Sequence, residues 1–510
     1  MKLRAAILVT AVIASGLLYA MLLPPFSASA LAWIVLIPLL LVLASSSPLR
    51  AFGYGGLWAI CATVAVAWWF PAMLERFFGL PQSMAWMGLL GLGALVDGLP
   101  YAFFGLWVGW GARRGVLNPL TVAAAFGLTE WARANGPIPN PFAQLAYSQS
   151  GTAFAQTADL AGPYAVGMLV VAANVAIAGL LMPAFGGRHP LRRAGIAAAF
   201  VMLAFGYGQW RLQQDFGHGE SLKVALVQGA VARELEWDRS TRDENLERYL
   251  SLTREAAAQA PDLIFWPEFA VDFYLREASV HRARLLDGVR AIGADLVLGG
   301  SHYRFSGQGQ KERTAYYNSV FVVDSLGRLR ADRYDKQRLV PFAEYGPFGD
   351  SLRAETAVYV PGEKPQLLQA GGVRVGAFIC GEALHPEIAR ELAMAGAELL
   401  ANPSNDYWFG HPQAAAHQLQ VASFRAIENR RYLVRATATG ISAVVDPHGR
   451  TLIRSQGQGP EILHASLRRS SAVTPYHRVG ERPLVAAAAL IAWTSWIRRR
   501  SGTTSAGGTT

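Results

Sequence analysis

The chain has 510 residues, of which 52% are hydrophobic and 16% are charged. That is long enough for two or more domains and too apolar for one ordinary soluble protein. The formal net charge of +10 does not mark a nucleic-acid binder, because Lys2, Arg4, Arg50, Arg113, Arg114, Arg188, Arg192, Arg193, Arg498, Arg499 and Arg500 flank apolar stretches and gather into no recognition helix or patch.

In chain order, residues 1–210 read as a membrane domain with seven spans. An apolar run of about 20 residues crosses a bilayer. The candidates are 5–23, 28–44, 51–70, 84–111, 117–128, 164–182 and 194–208, and 484–497 is a final span closed by three arginines. Segment 117–128 is the weak one, short and interrupted by Asn118 and Pro119. Loop charges argue for it. With a cytoplasmic N-terminus, the loops holding Arg50, Arg113 and Arg114, and Arg188 to Arg193 all face inward only if 117–128 crosses. Eight spans then place the C-terminal half outside the cytoplasm. A rival reading of the first segment is a signal peptide ending near Ala28-Ser29-Ala30, disfavoured because it lies beyond Pro24-Pro25 and further spans follow. Asp97, inside the fourth span, either faces a cavity or partner or marks a helix break before Pro100; the break is the reading favoured.

Residues 219–470 change pattern. Short runs at 223–227, 263–266, 296–299, 319–323, 373–379, 399–402, 432–435 and 442–445 are mostly rich in β-branched or aromatic residues. Helical stretches at 243–258, 279–292, 386–395 and 413–429 alternate with several of them, which predicts a layered α/β domain. The tail 501–510 is Ser/Gly/Thr-rich and reads as disordered. The two cysteines, Cys61 in an apolar run and Cys380, predict no disulfide framework. There is no Cys/His cluster with zinc spacing, so no metal and no cofactor is expected.

Cys380 closes the run 373–379, Glu268 follows Phe265-Trp266-Pro267, and Lys336 lies in Tyr334-Asp335-Lys336-Gln337. A thiol attacks a carbonyl as the thiolate, so it needs a base that can later return the proton. Glu268 suits that task, delivered by an apolar strand. The tetrahedral intermediate needs donors at its oxyanion; Lys336 supplies a charged one and the Gly381 N–H a second. Alone, each has a bland reading: a core cysteine, a solvated lysine, a turn glutamate. The three together are harder to dismiss.

Their order and flanks resemble the nitrilase superfamily, and more closely its integral-membrane branch, the bacterial apolipoprotein N-acyltransferases, over nearly the full length. The matching stretches are Leu128-Thr129-Glu130-Trp131, Leu145-Ala146-Tyr147-Ser148-Gln149, Val227-Gln228-Gly229, Trp266-Pro267-Glu268, residues 336–347, Ile379-Cys380-Gly381-Glu382, residues 402–410 and Thr474-Pro475-Tyr476. The most specific is Asn405-Asp406-Tyr407-Trp408-Phe409-Gly410. The resemblance implies an α-β-β-α sandwich on the periplasmic side of a bacterial inner membrane. It implies a ping-pong reaction: Cys380 takes an acyl chain from a phospholipid, and the amine of a diacylglyceryl-cysteine on an apolipoprotein accepts it. It also implies that Glu344 supports the triad, that Glu382 orders the nucleophile loop, and that Trp237 helps close the pocket over acyl chains; Trp408, a candidate substrate-binding residue, is with Tyr407 and Phe409 either an apolar lip dipping into lipid or a core corner. A monomer is expected. The chain departs from the family in Gly381, where an aromatic residue is usual, in Phe269-Ala270-Val271-Asp272 after the glutamate, and in Ala343 and Gly346. The alternatives are a membrane-bound nitrilase-like amidohydrolase, in which water resolves the thioester, and a nitrilase-like relative recruited to conjugal transfer.

Overall fold

A computed structural model describes residues 2–231, 241–306, 313–340, 344, 359–457 and 459–497. Trp237, Ala343, Gly346 and the 501–510 tail lie outside them.

Helix occupies each of the apolar segments named above. Among the described residues, Ala5–Leu22, Pro48–Val66, Gln82–Arg114 and Pro163–Leu181 are long and apolar enough to cross a membrane, and Ser29–Ser45 and Arg482–Ile497 are shorter apolar helices. The weak segment is a full helix, Pro119–Asn135. Asn118 starts it: its side chain accepts from Leu120 N (3.0 Å) and Thr121 N (3.1 Å). Proline costs nothing in the first turn, where its missing N–H has no partner to lose. What reads as an interruption is a cap.

Small residues let these helices close up. A side chain on Gly55 would come within 2.2 Å of the Tyr101 carbonyl oxygen, so Pro48–Val66 and Leu99–Arg114 pack backbone to backbone there. The helix break expected at Asp97 is not there: Gln82–Arg114 runs on as one helix, widened to a π-helical turn at Gly93–Gly98. Asp97 has partners: Thr63 Oγ1 (2.8 Å), Arg133 Nη1 (3.2 Å) and Asn140 Nδ2 (3.0 Å) all donate to it. Glu75 and Arg76, between the third and fourth spans, lie on a short helix, Phe70–Phe78.

The C-terminal half contains two six-stranded sheets. The first holds β1 (His218–Gln228), β2 (Leu263–Phe265), β3 (Asp295–Ser306), β4 (Arg313–Val323), β5 (Leu329–Asp335) and β12 (Glu461–Arg469), in the order β12-β1-β2-β3-β4-β5. The second holds β6 (Leu367–Ala370), β7 (Val373–Ala377), β8 (Leu399–Ala401), β9 (Leu433–Arg435), β10 (Ala443–Val445) and β11 (Thr451–Arg454), in the order β11-β10-β9-β8-β7-β6. The centres of both sheets are parallel, β1 to β2 to β3 and β7 to β8 to β9.

Strand alternation explains the layers. Val224, Leu226, Phe265, Val297, Val320 and Val322 share one core with Val375, Ala377, Leu399 and Ala401, so the two sheets face each other. The intervening residues Ala225, Val227, Ile264, Leu296 and Phe321 turn outward onto Leu246, Tyr249, Leu285 and Val289 of helices Arg242–Ala257 and Val280–Ile292. Ile388 and Leu392 of Pro386–Met394 cover the second sheet.

Helix Pro412–Asn429 joins the halves, and every residue from His417 to Asn429 is buried. Leu419, Ala422 and Ala426 enter the sheet core, while Val421, Phe424 and Ile427 enter the core of the membrane helices. Its polar residues are covered too, and Arg425 and Glu428 satisfy each other there as an ion pair (2.5 Å). The 405–411 loop before it grips the membrane half as well. Phe409 packs on Trp69 (5.6 Å between ring centres), Trp408 on Phe77 (4.9 Å), and Trp68 Nε1 donates to Gln413 Oε1 (3.0 Å).

Candidate active site

Three strand ends meet between the sheets. Glu268 lies three residues beyond β2, Lys336 directly follows β5, and Cys380 lies three residues beyond β7. All three side chains are buried. Each backbone is pinned. Gly299 N donates to Pro267 O (3.0 Å), and a side chain on Gly299 would lie 2.6 Å from Glu268 Cα, so β3 must have glycine where the glutamate turn crosses it. Lys336 N donates to Asn318 O (2.8 Å) and Cys380 N to Pro403 O (2.9 Å). Cys380 has φ +51°, a left-handed conformation that costs a non-glycine residue on the order of 1–3 kcal/mol and is held only where surroundings enforce it.

Lys336 stands between two carboxylates. Its Nζ donates to Glu344 Oε1 (2.9 Å) and Glu268 Oε1 (3.3 Å). Asn318 Nδ2 spans the same two oxygens at 3.0 Å and 2.7 Å. Glu344 Oε2 also accepts from Val340 N (2.8 Å). Glu268 Oε2 is different: it is buried and, among the described residues, has no hydrogen-bond partner. One oxygen of Glu268 is therefore committed to orientation and the other is free to take a proton.

Charge follows from this arrangement. Burial alone would lower the pKa of the Lys336 ammonium, but Glu344 and then Glu268 outweigh it and hold it above the ordinary lysine value. Burial, reinforced by the Glu268 charge, pushes the Cys380 thiol up to about 12, against the opposing pull of Lys336. Asp406 adds to the rise, and Ser404 opposes it. At neutral pH free thiolate is then rare, fewer than about one molecule in ten thousand. A thiol in this setting can act as a nucleophile only with a base beside it to take the proton.

Glu382 ties the nucleophile loop to the lysine loop. It accepts from Ile379 N (2.6 Å) on one side, and from Gln337 N (2.7 Å), Arg338 N (2.9 Å) and the Tyr334 hydroxyl (2.9 Å) on the other. Gly381 is open: among the described residues, a Cβ there would meet only Val340, at 3.6 Å. Trp408 is not among these contacts; its ring rests on Phe77. Asn402 and Ser404 lie in the matching stretch 402–410, whereas Asn318 carries no sequence motif. The available signal for Asn318 was a polar residue interrupting the apolar run of β4.

A carboxylate, an ammonium and a thiol between facing sheets, on a body of apolar helices, define a carbon-nitrogen hydrolase domain carried by a membrane protein. Residues 223–474 match the carbon-nitrogen hydrolase family, and residues 15–176 match the apolipoprotein N-acyltransferase N-terminal domain. The apolipoprotein N-acyltransferase of Geobacter metallireducens is 31% identical over 504 residues, 95% of this chain and 94% of that one. The one from Azotobacter vinelandii is 31% identical, over 96% of this chain and 95% of its own. The chain belongs to the apolipoprotein N-acyltransferase family. Among solved structures, an amidase from Nesterenkonia sp. is 23% identical over 54% of this chain and 97% of that one, with a TM-score of 0.39.

Proposed function

We propose that the protein N-acylates lipoproteins, moving an acyl chain from a phospholipid through a Cys380 thioester to the N-terminal amine of a diacylglyceryl-cysteine. The observation that carries the roles is the divided carboxylate of Glu268, one oxygen on Lys336 and one unpartnered, beside a buried thiol whose pKa is raised.

Glu268 takes the thiol proton as the sulfur attacks the ester carbonyl, and the carbonyl oxygen becomes an oxyanion. Lys336 and the Gly381 N–H are the donors assigned to that oxyanion; charge that appears only in the transition state is best met by donors already in place. Collapse breaks the ester C–O bond, and Glu268 returns the proton to the leaving lysophospholipid hydroxyl. In the second half, the acceptor amine attacks the thioester carbonyl and gives a proton to Glu268. The C–S bond breaks, the thiol recovers its proton, and an amide remains. Glu344 keeps Lys336 charged and aimed, and Glu382 holds the cysteine turn against the lysine loop.

Both substrates are anchored in lipid, which supports a catalytic domain seated on helices. The arginine-bearing loops favour eight crossings with residues 219–470 on the periplasmic face of an inner membrane, residues 1–210 and 484–497 forming the anchor, and a monomer as the working unit. Trp408, beside Phe77 of the membrane half, fits a position on the rim where acyl chains enter.

The test is incubation of the purified protein and of Cys380→Ala with a phospholipid labelled in its sn-1 chain. A hydroxylamine-sensitive label on the wild type alone, passed on to a diacylglyceryl-cysteine peptide, is the expected result. Release of the label to water in place of the peptide would point to an amidohydrolase-like activity. No label, under conditions where a known family member is labelled, would remove the phospholipid from the reading.

A further inference from the structure

β9 ends on Arg435, a charged side chain with no solvent exposure. The neighbouring parallel strand β8 continues as extended chain, with Asn402 N donating to Val434 O (2.8 Å) and Ser404 N to Ala436 O (2.8 Å). Alternate residues of extended chain point to one side, and Asn402, Ser404 and Asp406 all turn toward Arg435. Its Nη2 lies 2.6 Å from Asp406 Oδ1 and 3.2 Å from Ser404 Oγ, and its Nη1 donates to Asn402 Oδ1.

The same three-residue stretch holds every part of the cysteine. Pro403 O accepts the Cys380 N–H (2.9 Å). Asn402 Nδ2 donates to Cys380 O (3.3 Å) and to Phe378 O (2.8 Å). Ser404 lies near enough to the sulfur to oppose the rise of the thiol pKa, and its hydroxyl donates to Asp406 Oδ1 (3.0 Å). A positive-φ cysteine persists only where its surroundings over-determine it, and these contacts are such surroundings. They are gripped in turn by one guanidinium, whose rigid fork can serve several acceptors at once.

We propose that Arg435 is the positioning residue of the nucleophile, holding residues 402 to 406 so that the Cys380 turn is kept in place and masking the Asp406 charge next to the sulfur. The proposal rests on the reading of Cys380 as the nucleophile. The charged groups facing the thiol are Glu268 and Lys336 from the first sheet, Glu382 on its own loop, and the Asp406–Arg435 pair from the second. Asp406, left without its partner, would oppose thiolate formation more strongly; Arg435, left without Asp406, would favour it.

The experiment uses the full chain in detergent with Cys61→Ser, so that Cys380 is the only thiol. The rate of alkylation by iodoacetamide is followed against pH for Arg435→Gln, Asp406→Asn and the double variant, with thermal melting alongside. Arg435→Gln should move the profile to higher pH, with the rate at a fixed pH falling about tenfold per unit moved. Asp406→Asn should move it to lower pH, and the double variant should return it toward wild type. A role limited to packing would leave all profiles superimposed, and that result overturns the proposal. Should Arg435→Gln fail to fold, Asp406→Asn decides: a shift to lower pH supports the assignment and an unchanged profile overturns it. The readout needs neither lipid nor acceptor. A wild type that alkylates as expected but takes no acyl chain therefore counts against the proposed function alone.

Discussion

Arg430 of the catalytic half and Asp159 of the membrane half form an ion pair in which neither side chain is exposed, with Nη2 2.7 Å and Nε 3.0 Å from Oδ2. Arg211 (2.6 Å) and Tyr207 (2.7 Å), both on helix Pro190–Leu212, donate to the same carboxylate. Arg430 Nη1 reaches on to Gln156 Oε1 (2.6 Å) and Pro447 O (3.0 Å). One carboxylate thus collects the C-terminal cap of Pro412–Asn429 and the last helix before β1. It fixes where the sandwich sits on its helices.

Removing one partner of a buried pair leaves the other charged and dry, which costs on the order of 3–5 kcal/mol. Asp159→Ala strands both Arg430 and Arg211 and should lower the melting temperature in detergent by several degrees. Asp159→Asn, which keeps the shape and some hydrogen bonds, should cost less. If Asp159→Ala melts with the wild type, the pair does not hold the halves together.

Glu268 has two effects on Cys380 that a single substitution can separate. As the base of the proposed reaction it would speed the proton transfer, an effect typically worth about 10²–10⁴-fold. As a neighbouring charge it helps hold the thiol pKa up. Glu268→Gln should therefore lose acyl transfer by about that factor while iodoacetamide alkylation of Cys380 shifts to lower pH. Paired rate measurements on one preparation check this; transfer kept within a few-fold would remove Glu268 from the base role.

His417 gives the fold an acid limit. It is buried in helix Pro412–Asn429 with its ring on Phe142 (3.9 Å), and burial, then the Arg133 charge, push it down to about 3. Its unfolded value is about 6.5, so the folded pKa is the depressed one. The contribution is complete above about pH 6.5 and is lost as pH falls toward 3, at about 1.4 kcal/mol per pH unit. His302 and His477, each held down to about 4 mainly by burial, act in the same direction. Between pH 7 and 5, His417→Gln should lose about 2 kcal/mol less stability than wild type. Equal losses in the two proteins would mean that His417 is not buried neutral.

The strands legible in the sequence and those that were not differ in position. Runs at 223–227, 263–266, 296–299, 319–323, 373–379, 399–402, 432–435 and 442–445 all became strands, and all lie inside the two sheets. The four strands missed, β5, β6, β11 and β12, are the four sheet edges. An inner strand is covered on both faces and reads as a continuous apolar run. An edge strand such as β11, Thr451–Arg454, keeps polar, exposed residues and leaves no such mark.

Residue type and local order were enough to single out Cys380, Glu268 and Lys336, to place the apolar helices, and to separate them from the α/β half. Each of those features rests on a short stretch of chain, where hydrophobic period or a flanking motif carries the signal. Local order could not supply the partners. Lys336 meets Glu268 across 68 positions, Arg430 meets Asp159 across 271, and Arg435 meets Asp406 across 29. Whether a buried charge is stable, and which oxygen of a carboxylate stays free, depends on the groups that surround it in space. Only the folding of two sheets against each other, and of both onto the helices, decides those neighbours.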